Sequence, residues 1–302
     1  MKNIFLKIWW KIDIILFPIT QKMGFHITKT HYYSPIPSTN ELDKSLWNKP
    51  RYNRGINFND QNQKNLLKKL SSRYKNEYDK FCISKNETKS DKEYYINNGL
   101  FESVDAEILY SIIRDIKPKK VFEIGSGFST LVIARALTEN KKRNNIKSYF
   151  LSFDPNPQKF LNYKINGLTS FKKTKAQDIP LSLFQKLKEN DVLFIDSSHI
   201  AKIGSDVLYE YLEVLPSLKK GVFVHIHDVF LPLEYPRNWI IKFHMFSTEQ
   251  YLLHAFLIFN SKFKIIWGSK YMEYNHKNLL KRAFRSYDNS SAPESFWMKK
   301  IK

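Results

Sequence analysis

The chain has 302 residues, 42% of them hydrophobic and 26% charged, enough apolar content to bury the core of one large domain or two small ones. Its one cysteine, Cys82, excludes an internal disulfide framework and a cysteine-rich metal centre, and fits a reducing, cytoplasmic setting. A formal charge of +20 would attract nucleic acid, anionic lipid or an acidic substrate, but the lysines are scattered without interleaved aromatics, so biased codon supply is the simpler account.

Residues 1–19 hold Ile4, Phe5, Leu6, Trp9, Trp10, Ile12, Ile15 and Phe17, interrupted by Lys7, Lys11 and Asp13. Those charges argue against a spanning helix, and no small-residue cleavage site of the secretory kind is present. Two readings stand. The stretch over residues 1–20 is an aromatic, basic helix that contacts the inner membrane surface, or it packs on its own domain or on a second subunit of a homo-oligomer.

Two prolines hold His31-Tyr32-Tyr33-Ser34-Pro35-Ile36-Pro37-Ser38 extended as a strap. From Trp47 to Asn98 the chain is polar, with helical periodicity over Gln61–Tyr78 and a solvated loop at Lys85–Lys92. The division expected is residues 1–98 as N-terminal segment, strap and helical cap, and residues 99–302 as the ligand-binding domain.

That domain opens with a helical face over Phe101 to Ile116. It is followed by the strand Val121-Phe122-Glu123-Ile124, the turn Gly125-Ser126-Gly127 and an apolar helix through Leu131–Leu137. Glycines let backbone approach a ligand, and the helix start behind them presents unpaired N–H groups. The dinucleotide fingerprint asks for a third glycine where Thr130 stands, which argues against a pyrophosphate. Glu-x-Gly-x-Gly instead resembles the first motif of class I S-adenosylmethionine-dependent methyltransferases. That resemblance implies a cofactor site at Glu123, Gly125, Ser126, Gly127 and Ser129.

A second strand, Tyr149 to Phe153, ends on Asp154. A carboxylate there can accept two hydrogen bonds from a ribose diol, or it can cap the turn made with Pro155 and Pro157. After a weak strand over Thr169–Thr174, Gln177 and Asp178 stand where the methyltransferase plan meets adenine. Two apolar runs follow. Asp191–Ile195 ends in Asp196-Ser197-Ser198-His199, and after a helix over Val207–Leu218 the run Val222–Ile226 ends in His227-Asp228. A right-handed β-α-β crossover makes the two strands parallel, so Asp196, His199, His227 and Asp228 converge on one sheet edge.

Asp and His donors from neighbouring strand ends suit a divalent cation, so Asp196, His227 and Asp228 are candidate ligands for Mg²⁺, Mn²⁺ or a transition metal. Metal-dependent O-methyltransferases of small diols place acids at these strand ends, with an amide where His227 stands. Macrolide-sugar O-methyltransferases carry a similar Asp-x-Ser-His, which implies His199 as the base beside Asp196. His225 reads as a packed core histidine with satisfied nitrogens. Glu234, Tyr235 and Glu249 are candidates for contacts with the acceptor.

Motifs over residues 31–297 resemble a family of bacterial class I methyltransferases associated with glycan biosynthesis. The resemblance implies a three-layer Rossmann-like α/β sandwich with a mostly parallel seven-stranded sheet, S-adenosylmethionine as cofactor, and O-methylation of a sugar or other hydroxylated acceptor. The last two strands would come from Phe263–Trp267 and Ser295–Met298. The alternative is a basic nucleic-acid-binding or RNA-modifying protein on the same fold. Against it, Asp196-Ser197-Ser198-His199 stands where base-amine methyltransferases carry an Asn-Pro-Pro-Tyr-like motif.

Overall fold

The computed structural model describes residues 16–302 apart from Lys29, Tyr32 and Tyr163. The aromatic stretch of residues 1–15 lies outside the described residues. Two compact units are present, Met1–Leu46 and Trp47–Lys302. In the first, residues 16–22 are helical and Phe17, Ile19 and Met23 are exposed. Among the described residues no helix is long and apolar enough to cross a membrane.

The division falls between Leu46 and Trp47, whereas the sequence reading places it after residue 98. The physical reason is helix α1 (Asp60–Tyr78), which buries Leu67, Leu70, Tyr74 and Tyr78 in the same core as helix α2 (Asp105–Ile116). Its Glu77 accepts from Tyr110 Oη at 2.7 Å and from Arg114 Nε at 2.9 Å. This helix therefore thickens one face of the sandwich. The ligand edge is reached instead by Trp47, Arg51 and Tyr52, whose N–H groups donate to the carbonyls of Tyr235 and Pro232.

Seven strands form one sheet: β1 (Lys120–Ile124), β2 (Tyr149–Phe153), β3 (Ser170–Lys172), β4 (Val192–Ile195), β5 (Phe223–Ile226), β6 (Phe263–Gly268) and β7 (Phe296–Lys300). Their spatial order is β3-β2-β1-β4-β5-β7-β6, with β7 antiparallel to both its neighbours and the other pairs parallel. Alternate residues feed two cores, as a strand's period of two requires. Val121, Phe150, Val192 and Phe194 meet α1, α2, α3 (Phe128–Asn144) and the later helix Ser269–Ala283. Phe122, Leu151, Leu193, Val224 and Ile226 meet the segments carrying Phe184, Val207, Tyr211, Val214 and Leu253.

The helix expected over Val207–Leu218 is broken in character. It runs as Asp206–Tyr209 (α4), a π-helical turn over Glu210–Val214, and Leu215–Ser217. After a short helix over Arg237–Ile241 come α5 (Glu249–Ile258) and α6 (Ser269–Ala283), the last not expected from the sequence. Parallel registers pair Ile124 with Ile195 and Ile195 with Ile226, and the antiparallel one pairs Ile226 with Phe296. Continued one residue further, these pairings set Gly125, Asp196, His227 and Ser295 in a row along the carboxyl edge.

Candidate active site

A cleft of about 570 Å³ opens on that edge, lined among others by Gly125, Asp154, Gln177, Asp196, Lys202 and Asp206. Gly125 has a φ of 80° and a Cβ there would stand 1.8 Å from the Asp196 carbonyl oxygen, so the turn is glycine because backbone crosses backbone. Gly127 meets no such obstacle, its nearest neighbour being Gln158 Nε2 at 3.6 Å.

The remaining turn residues face inward. Glu123 is fully buried and accepts from Ser129 Oγ at 2.8 Å, Thr130 Oγ1 at 2.7 Å and Ser152 Oγ at 2.6 Å. Burial pushes its carboxyl up to about 8, against the pull of those three hydroxyls. Thr130 also accepts from Gly127 N at 3.1 Å, so the N–H of the residue that precedes α3 is satisfied within the protein. Glu123 and Ser129 thus brace the turn from below.

Asp154 caps the turn, as one of its two readings expects, and also holds the glycine turn. Its Oδ1 accepts from Asn156 N at 2.6 Å, capping the proline turn, while Oδ2 accepts from Ser126 N at 2.9 Å and Ser126 Oγ at 2.8 Å. The carboxylate still lines the cleft. Beyond it, Gln177 lines the cleft and donates to the Gly204 carbonyl at 2.9 Å, while Asp178 is exposed at the end of the same turn.

The four strand-end residues do converge. His199 Nε2 lies 3.3 Å from Asp196 Oδ1 and 3.2 Å from Asp228 Oδ2, and its Nδ1 lies 2.8 Å from Glu249 Oε2. His227 Nδ1 lies 3.3 Å from Asp228 Oδ1 and 3.7 Å from Asp196 Oδ1. On its other side Nε2 lies 3.7 Å from Asp105 Oδ2, and that nitrogen has no hydrogen-bond partner. Burial alone would push both imidazoles down, but Asp228, Asp196 and Glu249 hold His199 well above its usual range, and Asp196, Asp105 and Asp228 do the same for His227. Burial would raise Asp196 and Asp228, yet the same two imidazoles draw both carboxyls below their usual range.

The backbone is strained around this cluster. His199, Asp228 and Val104, which precedes Asp105, are non-glycine residues with φ of 59°, 54° and 60°. Left-handed backbone at such residues costs on the order of 1–3 kcal/mol each, and a β-branched valine is the least suited to it. The surrounding packing holds these conformations: Val104 is fully buried, and the His199 carbonyl accepts from the N–H groups of Thr248 and Glu249.

His225, Glu234, Tyr235 and Glu249 have these surroundings. His225 stacks on Phe194 at 3.9 Å between centroids and bonds Ser295 Oγ through Nε2 at 2.9 Å, but its Nδ1 has no partner, so only one nitrogen is satisfied. Glu234 is tied to Tyr52 Oη at 2.7 Å, Tyr251 Oη at 2.6 Å and Tyr235 N at 2.8 Å, and the Tyr235 hydroxyl accepts from Gln250 N. Glu249 faces His199.

Four acids escaped the sequence reading in this neighbourhood. Glu210 sits on the π-helical turn and accepts from Ser197 Oγ at 3.0 Å; burial and the nearby Glu249 and Asp206 push its carboxyl well above the usual range. Asp206 accepts from Ser198 N at 3.0 Å. Asp105 and Glu294 arrive from the start of α2 and the approach to β7. An acid on the buried face of Val207–Leu218 was a signal that could have identified Glu210; Asp105 and Glu294 carried none.

A central glycine turn after β1, parallel strands in the order β3-β2-β1-β4-β5 and an antiparallel β7 inserted before β6 are the architecture of the class I methyltransferases. Residues 122–229 match the family model described as a methyltransferase domain. The protein is a class I S-adenosylmethionine-dependent methyltransferase. It belongs to one family with an uncharacterized protein of Archaeoglobus fulgidus, 30% identical over 191 residues that make up 59% of this chain and 82% of that protein. Among solved structures, the apo form of CmcI-N160 is 14% identical, covering 69% of this chain and 76% of that one with a TM-score of 0.39. A putative protein-L-isoaspartate O-methyltransferase from Plasmodium falciparum, in complex with S-adenosyl-L-homocysteine, is 14% identical, covering 55% and 83% with a TM-score of 0.31.

Proposed function

We propose that this methyltransferase acts on oxygen, transferring the methyl group to a hydroxyl of a sugar or similar hydroxylated metabolite with the help of a divalent cation. The observation that carries the reading is His199. Its Nδ1 is held by Glu249, which leaves Nε2 between Asp228 and Asp196, the latter lining the cleft.

Gly125, Ser126, Gly127, Asp154 and Gln177 or Asp178 would hold the cofactor, whose sulfonium supplies an electrophilic methyl group. Holding two reactants in line is worth on the order of 7–11 kcal/mol of the barrier. The oxygen nucleophile must lose its proton as it attacks, and His199 Nε2 is the base assigned to take it. Glu249 fixes the ring and stabilises the imidazolium that results. Asp196, His227 and Asp228 fit a divalent cation: they pair two carboxylates with an imidazole whose Nδ1 lies 3.3 Å from Asp228 Oδ1 and 3.7 Å from Asp196 Oδ1. Such a cation would polarise the acceptor hydroxyl and lower the proton affinity of neighbouring His199.

The test is transfer of labelled methyl from S-adenosylmethionine to a panel of sugars and diols, with Mg²⁺, Mn²⁺ or a chelator. Loss of turnover by His199→Ala with cofactor affinity retained is expected. A His199→Ala enzyme as fast as wild type would remove the base. Transfer indifferent to chelator would remove the cation.

A further inference from the structure

The ligand set read from the strand ends faces an additional carboxylate from the opposite direction. Glu294 closes the loop that leads into β7. Its N–H donates to Asp105 Oδ2 at 2.7 Å and its carbonyl accepts from Val229 N at 2.9 Å, so its main chain is clamped between α2 and the residue after Asp228. Two residues on, Phe296 pairs with Ile226, a register that sets Glu294 opposite Asp228. The Glu294 side chain is only partly exposed and makes no hydrogen bond among the described residues.

Donor atoms of His227, Asp228 and Glu294 lie within 4.8 Å of one another. His227 is 3% exposed and its Nε2 is unpartnered. Asp105, 3.7 Å from that nitrogen, already accepts from Ser269 Oγ at 2.6 Å and from the N–H groups of Ser295 and Glu294. Asp105 stands beside the far nitrogen, where a metal-binding imidazole commonly has an acid, and Nδ1 faces Asp228 at 3.3 Å. A cation between the two carboxylates would offset their mutual repulsion. One nitrogen and two carboxylate oxygens make a donor set for Mn²⁺, Fe²⁺ or Zn²⁺ rather than for Mg²⁺, which prefers oxygen alone.

We infer that Glu294 is a further ligand of the divalent cation held by His227 and Asp228, so that the antiparallel strand β7 takes part in the site. The inference rests on the metal-assisted reading above. It makes the cation a bridge between the parallel part of the sheet and the loop that closes it.

The full chain, stripped with chelator, is titrated with Mn²⁺ by calorimetry and by the loss of free-ion paramagnetic signal. S-adenosylhomocysteine affinity serves as the control for an intact fold. Glu294→Gln is expected to weaken Mn²⁺ binding about tenfold or more, with S-adenosylhomocysteine affinity within about twofold of wild type. If Glu294→Gln loses the control binding, Glu294→Ala is read in the same way. A variant that keeps the control binding and still binds Mn²⁺ as wild type does overturns the inference while leaving metal assistance standing. A wild-type chain that binds no Mn²⁺ overturns both.

Discussion

His199 Nδ1 lies 2.8 Å from Glu249 Oε2, which joins the end of β4 to the first turn of α5. Glu249 is 1% exposed and stands 50 residues away in the chain. Its carboxylate fixes which nitrogen of His199 faces Asp196 and Asp228. If this is a positioning role, Glu249→Gln should lower kcat by about tenfold to a hundredfold with KM for S-adenosylmethionine nearly unchanged. It should also move the acidic limb of the kcat profile, because one of the three carboxylates that hold the imidazole protonated is gone. A variant with raised KM and an unmoved profile would make Glu249 an acceptor-binding residue instead.

Asp154 gives each of its oxygens to the protein. Asp154→Asn keeps the volume but replaces an acceptor with a donor, so the bonds from Ser126 or Asn156 are lost. Stability should fall by about 1–2 kcal/mol in urea unfolding. S-adenosylhomocysteine affinity should fall further, by roughly tenfold or more, because the glycine turn is held by the same carboxylate. Unchanged affinity alongside reduced stability would confine Asp154 to the turn.

Glu123 links the turn to pH. Its folded carboxyl is raised from 4.5 to about 8, so the folded state binds the proton more tightly than the unfolded one. The stabilisation is complete below the unfolded value and is lost as pH climbs through the folded one. Wild-type stability should therefore decline between about pH 4.5 and about 8 relative to Glu123→Gln, which cannot ionise. Parallel pH curves for the two proteins would show that Glu123 does not carry the effect.

The two glycines of the turn should respond differently. A methyl at Gly125 collides with the Asp196 backbone at 1.8 Å and sits at a φ of 80°, so Gly125→Ala should cost roughly 3 kcal/mol or more, or abolish folding. Gly127→Ala meets its first neighbour at 3.6 Å and should change stability by less than about 1 kcal/mol. Any loss of cofactor affinity there would report on the ligand side of the turn. Equal destabilisation by both changes would contradict the geometry.

Much of the sheet was legible. Val121–Ile124, Tyr149–Phe153, Asp191–Ile195 and Val222–Ile226 are short apolar runs bounded by polar residues, and each is a strand within a residue of its expected place. The acids at their ends mark the ligand edge for the same reason: a charged residue ending a buried run must lie where the sheet meets solvent or ligand. Helix α6 was missed because its buried Met272, Leu280 and Ala283 are spaced among lysines and asparagines that hide the stripe.

By itself the sequence determined the strands, the glycine turn and the convergence of Asp196, His199, His227 and Asp228. These follow from local periodicity and from the handedness of a β-α-β crossover. Only the tertiary structure decided that Glu123 braces the turn from below, that Glu249 orients His199, and that Asp105 and Glu294 crowd His227. Those relations arise because β5 pairs with β7 and α5 docks beside the end of β4. Such contacts join residues far apart in the chain, so no sequence window holds the pattern.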